Sequence, residues 1–347
     1  MATKIIIRVP NHLGDCLMAL PMINDTREAY PNSKVTVLAP ENLADLFISN
    51  PAVDRIMTIP KEQAHGLVGV MRIRDLLTPE RFDVGYILPP SFGSAAGFSL
   101  GQVKERIGYI SDGRRLLLTR PLAAPSPLNS EHRSKVYFDL LRRGAGMDIE
   151  YISPKFLLNE KDTDAANTLL SRFSIADADE FAVIAFRSVA ESRRWGSENY
   201  ARLAREIIER IDLKVLLIGS GDDQSTGDQI ASDSQGRIVN LSGKTSLREL
   251  AGILSRGKVF IGNDSGPAHL AAAVGTPLVV LSGADDPMET TPLSDHKRMI
   301  RLSELPCISC VKNVCPLKGE DFMRCMRGIS VSAVMDEVTH LLTAVVR

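Results

Sequence analysis

Short runs of β-branched and aromatic residues alternate with helical patterns along the chain, and they do so in two separate series. The first comprises KIIIRV (4–9), KVTVLA (34–39), DRIMTI (54–59) and FDVGYIL (82–88), with RIGYI (106–110) as a fifth candidate. After residue 180 the alternation restarts with FAVIAF (181–186), LKVLLIG (213–219), RIVNLSG (237–243), KVFIG (258–262) and PLVVLSG (277–283), and RMIRL (298–302) is placed to close it. Strands alternating with helices build βαβ units, whose parallel sheet is covered on both faces. Two such series predict an α/β protein of two doubly wound domains, and 347 residues give each its own core. The polar, acidic interval around 158–180 sets the expected division, with one domain over 1–172 and a second over 177–328. The end, SVSAVMDEVTHLLTAVV, places apolar residues at 331, 334, 335, 338, 341, 342 and 345. That is a helical stripe, and the helix of 329–347 is expected to pack back toward the first domain.

Composition narrows the function class. A formal net charge of −1 does not suit a nucleic-acid binder relying on an overall basic field. No apolar stretch approaches the length that spans a bilayer. The three isoleucines between Lys4 and Arg8 are too short a run for a signal peptide, so a cytosolic protein is expected. Four of the five cysteines fall in one stretch, Cys307-x2-Cys310-x4-Cys315-x9-Cys325. Four thiolates can close a structural zinc site, although these spacings match no common finger and Pro306 and Pro316 indicate an irregular loop. The acidic pair Asp285 and Asp286 could bind a metal, but it does not stand out from an ordinary solvated turn.

The polar knot Asn263-Asp264-Ser265-Gly266-Pro267 interrupts otherwise core-like sequence. Ligands of open parallel sheets bind at the carboxyl ends of strands, and this knot follows one. Pro267 suits a first helical turn, and Ser265 or Gly266 can cap it. Unpaired amides at that helix start would attract a phosphate, with His269 as a further donor. A capped βα turn with a merely satisfied histidine fits the same residues.

Other loops carry candidates of the same kind. In RVPNHLGDCLMALPMI (8–23), Asp15 at a helix start complements the dipole or acts as a general base, with His12 as its substitute. In FRSVAESRRWGSENY, Ser188, Arg193 and Arg194 precede a helix, where guanidinium groups suit a diphosphate. Trp195 reads as a packing anchor. IGSGDDQ has Gly219 and Gly221, but Gln224 breaks the dinucleotide pattern and counts against a nicotinamide-dependent oxidoreductase. Asp222 and Asp223, and Thr245 on the following loop, are candidates for a donor nucleoside. Between 101 and 143 there are nine Lys/Arg against four Asp/Glu. Arg106, Arg114, Arg115 and Arg120 within it can receive an anionic acceptor or face anionic lipid.

Taken together, GDCLMALP, LPPSFGSA (88–95), RIGY (106–109), RRWGSENYARLA, NDSGPAHLAAAVGTPLVVLSGADDP, PCISCVKNVCP and RCMRGISV resemble the ADP-heptose:lipopolysaccharide heptosyltransferases, glycosyltransferase family 9. The likeness covers nearly the whole chain and is nearest the heptosyltransferase II branch. It implies a GT-B fold, two Rossmann-like domains facing across a cleft. It also implies inverting transfer of L-glycero-D-manno-heptose from ADP-heptose to a heptose on Kdo–lipid A. Asp15 then matches the proposed catalytic base, Ser265, Gly266 and His269 match donor-diphosphate positions, and Arg193 falls where the family has a lysine; Ser188 is a diphosphate candidate from its loop alone. His12, Arg106, Arg114, Arg115 and Arg120 would lie on the acceptor side. No cofactor is implied; peripheral contact with the inner membrane is. Two departures stand out: Arg187-Ser188-Val189 replaces the family's Pro-Gly-Ala, and Arg193 replaces its lysine. The alternatives are a nicotinamide-dependent oxidoreductase on a doubly wound fold and a sugar-nucleotide-binding protein without catalysis.

Overall fold

The computed structural model describes residues 2–63, 65–125, 131–232 and 234–345. The chain forms two compact units that divide between Leu157 and Leu158. The first holds β1 (Thr3–Arg8), β2 (Ser33–Pro40), β3 (Arg55–Ile59), β4 (Val84–Ile87), β5 (Glu105–Tyr109) and β6 (Arg120–Leu122). The second holds β7 (Phe181–Ala185), β8 (Lys214–Ile218), β9 (Ile238–Asn240), β10 (Val259–Asn263), β11 (Leu278–Leu281) and β12 (Lys297–Ile300). Their orders are β3-β2-β1-β4-β5-β6 and β12-β11-β10-β7-β8-β9, and all the pairings are parallel. Both are Rossmann orders. Strand direction through the sequence reverses at β1/β4 and at β7/β10, the switch points where such sheets bind ligands.

Burial on both sheet faces explains the continuous apolar strands. Ile5, Ile6 and Ile7 of β1 are fully buried, each contributing about 1.5–3 kcal/mol relative to exposure. In the first unit the helices Gly66–Leu77 and Phe92–Leu100 pack together. A Cβ on Gly97 would lie 2.6 Å from the Ile73 Cβ, so only glycine permits that approach. The strand β6, RPL, carries no alternating signal. It forms because it lies at the sheet edge, where the N–H that Pro121 lacks is not missed.

The division falls earlier in sequence than the composition suggests. The helix Glu160–Arg172 packs on the helix Leu247–Arg256, so residues 158–172 belong to the second unit and not to a domain running over 1–172. Arg248 anchors it: Nε donates to Asp162 Oδ1 at 2.6 Å, and Nη2 donates to Asp162 Oδ2. Asp162 also accepts the Asn159 N–H at 2.9 Å, completing the helix cap. At the other end, the helix Val331–Val345 packs on the helix Ser197–Ile211 and on β11 and β12. The stripe read from the sequence is the buried one, with Val334, Met335 and Val338 fully covered. Residues 346 and 347 of that stretch lie outside the described residues. Among the described residues no helix is long and apolar enough to cross a membrane.

Candidate active site

In the second unit, the polar knot stands at the carboxyl end of β10, beside β7. Asp264 N still donates to Leu281 O at 3.1 Å, and the backbone then turns into the helix Gly266–Ala273 with Ser265 as N-cap. The amides of Ala268 and His269 turn back to Ser265 O. Those of Ser265 and Gly266 have no backbone partner among the described residues, and the Ser265 hydroxyl caps nothing, donating instead to Asn263 O at 3.2 Å. The result is a pair of amides at the positive end of a helix dipole, half-exposed, as an anion site requires.

The β7 loop brings Arg193 to the same place. Its Nη1 donates to Asp264 O at 3.3 Å, and its Nε is 3.9 Å from Asp285 Oδ1. Arg194 Nε donates to Ser188 O at 2.8 Å, which folds that loop back on itself. Trp195 is a packing anchor: it is 2% exposed, donates to Ile329 O at 2.9 Å and meets Tyr200 edge-on at 4.8 Å. His269 is buried, its Nε2 3.6 Å from Asp264 Oδ1.

Two neighbouring loops complete that edge of the sheet. Gly243, at φ 70°, approaches so closely that its Cβ would stand 2.7 Å from Gly221 Cα, which brings Thr245 and Asp222 onto adjacent loops. Both oxygens of Asp223 are taken. Oδ2 accepts Ser220 N and Oγ at 2.9 and 2.7 Å, and Oδ1 accepts Arg187 Nε at 3.1 Å. Asp222 is exposed and Thr245 half-buried.

The cysteine segment straps the same region from outside. Ser309 N and Val311 N donate to Gly283 O and Ala284 O at 3.0 and 2.7 Å, and Ser192 N donates to Asn313 O at 3.0 Å. Ser309 Oγ donates to Asp285 O at 2.9 Å. The four cysteines are half-buried free thiols. Burial pushes the Cys325 thiol up to about 11, reinforced by Cys307, Cys310 and Cys315. Among the described residues no three His, Cys, Asp or Glu side chains converge as metal ligands.

In the first unit, Asp15 lies in the first turn of the helix Leu13–Met18, directly after β1. Its Oδ1 accepts Arg133 Nη1 at 3.2 Å, and the Tyr137 hydroxyl lies close enough for the Asp15 charge to raise its proton affinity. The side chain stays 17% exposed, so an outside proton can reach it. Arg8, 2% exposed, braces the loop beneath, donating to Val9 O at 2.6 Å and to Asn11 Oδ1 at 2.6 Å.

Residues 70–320 match glycosyltransferase family 9 (heptosyltransferase). The chain belongs to glycosyltransferase family 9. Within it, the lipopolysaccharide heptosyltransferase 2 of Salmonella typhimurium is 30% identical over 314 residues, covering 86% of this chain and 88% of that protein. The lipooligosaccharide heptosyltransferase 2 of Haemophilus ducreyi is 28% identical over 352 residues, covering 98% and 99%. The solved Escherichia coli ADP-heptose lps heptosyltransferase II superposes with a TM-score of 0.81 at 26% identity, covering 99% of this chain and 100% of that one. The fold class is the family's GT-B, and this family 9 chain is a glycosyltransferase.

Within the family 9 fold, Ser265, Gly266, His269 and Arg193 meet at one place, as the motifs suggest. The basic stretch does not act as one surface. Arg106 donates to Leu117 O and Val103 O at 2.7 and 2.6 Å, and Arg120 donates to Gly144 O at 2.7 Å. Arg114 is 1% exposed and holds Tyr109 O at 2.9 Å and Pro89 O. Burial lowers its guanidinium to about 10. These three are backbone straps; Arg115 and His12 are exposed.

Sequence reasoning missed Arg133 and Tyr137 as partners of Asp15, since nothing in the sequence shows which face of their helix meets residue 15. It also took Asp285 for a solvated turn residue, whereas it is 1% exposed. Its only local signal is Ser282, whose Oγ donates to Asp285 Oδ2 at 2.6 Å.

Proposed function

We propose that the chain moves L-glycero-D-manno-heptose from ADP-heptose to a heptose of the lipopolysaccharide inner core, with inversion at the anomeric carbon. The observation that carries this reading is the open amide pair Ser265–Gly266 with Arg193 held beside it by Asp264 O. Charge-assisted bonds from these groups and from His269 suit the diphosphate of a nucleotide sugar. Ser188 lies on the same loop as Arg193, and Asp222 and Thr245, on the two adjacent loops, are our candidates for the nucleoside.

Asp15 takes the proton of the acceptor hydroxyl while its oxygen attacks the anomeric carbon opposite the donor. The carbon–oxygen bond to the diphosphate breaks, and ADP leaves with the electron pair. The amides, Arg193 and His269 supply the positive charge at that leaving group, so no resident cofactor is invoked.

The acceptor's lipid puts the reaction at the cytoplasmic face of the inner membrane. Leu67, Val68, Phe92 and Leu116 are exposed, Leu116 to 93%. They sit on loops and helix starts after β3, β4 and β5, together with exposed Arg72 and Arg115. Exposed apolar side chains with arginines near them in sequence fit an anionic bilayer surface. Leu67→Glu with Leu116→Glu is expected to lower sedimentation with anionic vesicles at least about fivefold while secondary structure is unchanged; equal binding removes this surface from the reading.

Incubation with ADP-heptose and a panel of truncated lipopolysaccharide cores, with ADP release followed in the presence of a chelator, tests the whole. Release that depends on one core acceptor supports the reading. ADP binding without product on any core leaves a non-catalytic binding protein.

A further inference from the structure

Asp264 and Asp285 lie at the carboxyl ends of neighbouring strands, since Asn263 and Leu281 are register partners. Each is 1% exposed, and Arg193 reaches both residues, Nη1 donating to Asp264 O at 3.3 Å and Nε standing 3.9 Å from Asp285 Oδ1. Two buried carboxyl groups side by side can hydrogen-bond each other only if one carries a proton. Asp264 Oδ2 and Asp285 Oδ1 are buried without a hydrogen-bond partner, so a proton between the two groups is what would satisfy them. Ser282 Oγ already donates to the other Asp285 oxygen.

Arg193 approaches from the β7 loop, Nε 3.9 Å from Asp285 Oδ1 and itself without a hydrogen-bond partner. His269, from the helix after β10, stands 3.6 Å from Asp264 Oδ1. Lys297 of β12 reaches Asp264 through its field, its Nζ held by Thr291 Oγ1 and Pro292 O at 2.8 and 2.9 Å. The guanidinium therefore sits next to Asp285 without closing on it.

We propose that Asp264 and Asp285 share one proton, and that this proton leaves Arg193 free to grip a nucleoside diphosphate at the Ser265–Gly266 amides. Asp285 is then a positioning residue. Without the proton, a second negative charge would face Arg193 and compete with the ligand for it. Burial pushes Asp264 up to about 6 and Asp285, which also feels Asp264, up to about 7. Diphosphate binding should then take up a proton and weaken as pH rises through 7, the window in which Asp285 ionises. This inference rests on the donor reading above for its ligand, though not for its proton.

Calorimetric titration of ADP into the full chain from pH 6 to 9, in buffers of different ionisation enthalpy, tests it. The expected result is a Kd that rises up to about tenfold per pH unit above 7 with proton uptake, a flat profile in Asp285→Asn, and a retained slope in His269→Gln. An unchanged slope in Asp285→Asn, or a flat wild type, overturns the proposal. Difference infrared spectroscopy without ligand reads the proton itself. A protonated-carboxyl band at pH 6 that vanishes at pH 9 and in Asp285→Asn supports it, and its absence at pH 6 overturns it whatever ADP does. A band present with no ADP binding at any pH overturns the link to Arg193 and places the fault in the donor reading.

Discussion

Replacing Asp15 by asparagine is expected to lower transfer about 10²–10⁴-fold, the usual worth of a general base, while ADP affinity stays within about twofold. The amide preserves the shape of the carboxylate and can still accept from Arg133, which aims the native group. What it cannot do is receive a proton. Single-turnover rates separate the two effects: a drop in the chemical step with unchanged binding assigns the base. Should turnover survive, the adjacent His12, which is exposed at the helix start, becomes the group to replace next. Burial of the Tyr137 hydroxyl, with Asp15 adding to it, pushes its own proton affinity well up. Tyr137 therefore remains a hydrogen-bond donor throughout the working range of pH.

The largest stability effect is expected at Arg248. Arg248→Ala should destabilise the second unit by about 3–5 kcal/mol, because it strands a buried carboxylate. Asp162 and Arg248 side chains are only 8% and 11% exposed, so water cannot replace the lost partner fully. A denaturant titration should show the second unit melting early, and Asp162→Leu combined with Arg248→Met should recover much of the loss. The pair also has a pH signature. The Arg248 hydrogen bonds hold the Asp162 carboxyl below the usual carboxylate range, helped by the Asn159 amide. Its folded value is therefore depressed, so its stabilisation is complete above the unfolded value of about 3.9 and is lost as pH falls through the folded one. An Arg248→Ala protein whose acid transition is unshifted would rule this out.

The strands were legible in the sequence wherever both faces are buried, because such strands read as unbroken β-branched runs: KIIIRV, FAVIAF and PLVVLSG each fall on one. RPL was not, since an edge strand needs neither alternation nor a full set of amides. The anion cradle was legible because Pro267 and Gly266 have a positional meaning that survives without coordinates. The roles of Arg106, Arg114 and Arg120 were not. An arginine's charge is visible in sequence, but whether its N–H groups meet solvent or backbone carbonyls depends on which loops fold beside it. The same holds for Asp162. Its acidic surroundings suggested a linker, and only the packing of its helix on Leu247–Arg256 turns it into a buried partner.

The apolar core of the second unit joins Ala182, Ile184 and Val279 to Val334, Met335, Val338 and Leu341. On a ribosome, β7 emerges long before the residues that must cover its sheet, whereas everything the first unit requires has been made by Leu157. The first unit can fold while synthesis continues; the second must wait with an uncovered sheet face. Stopping translation before residue 331 should therefore yield a soluble amino-terminal half attached to an aggregating one.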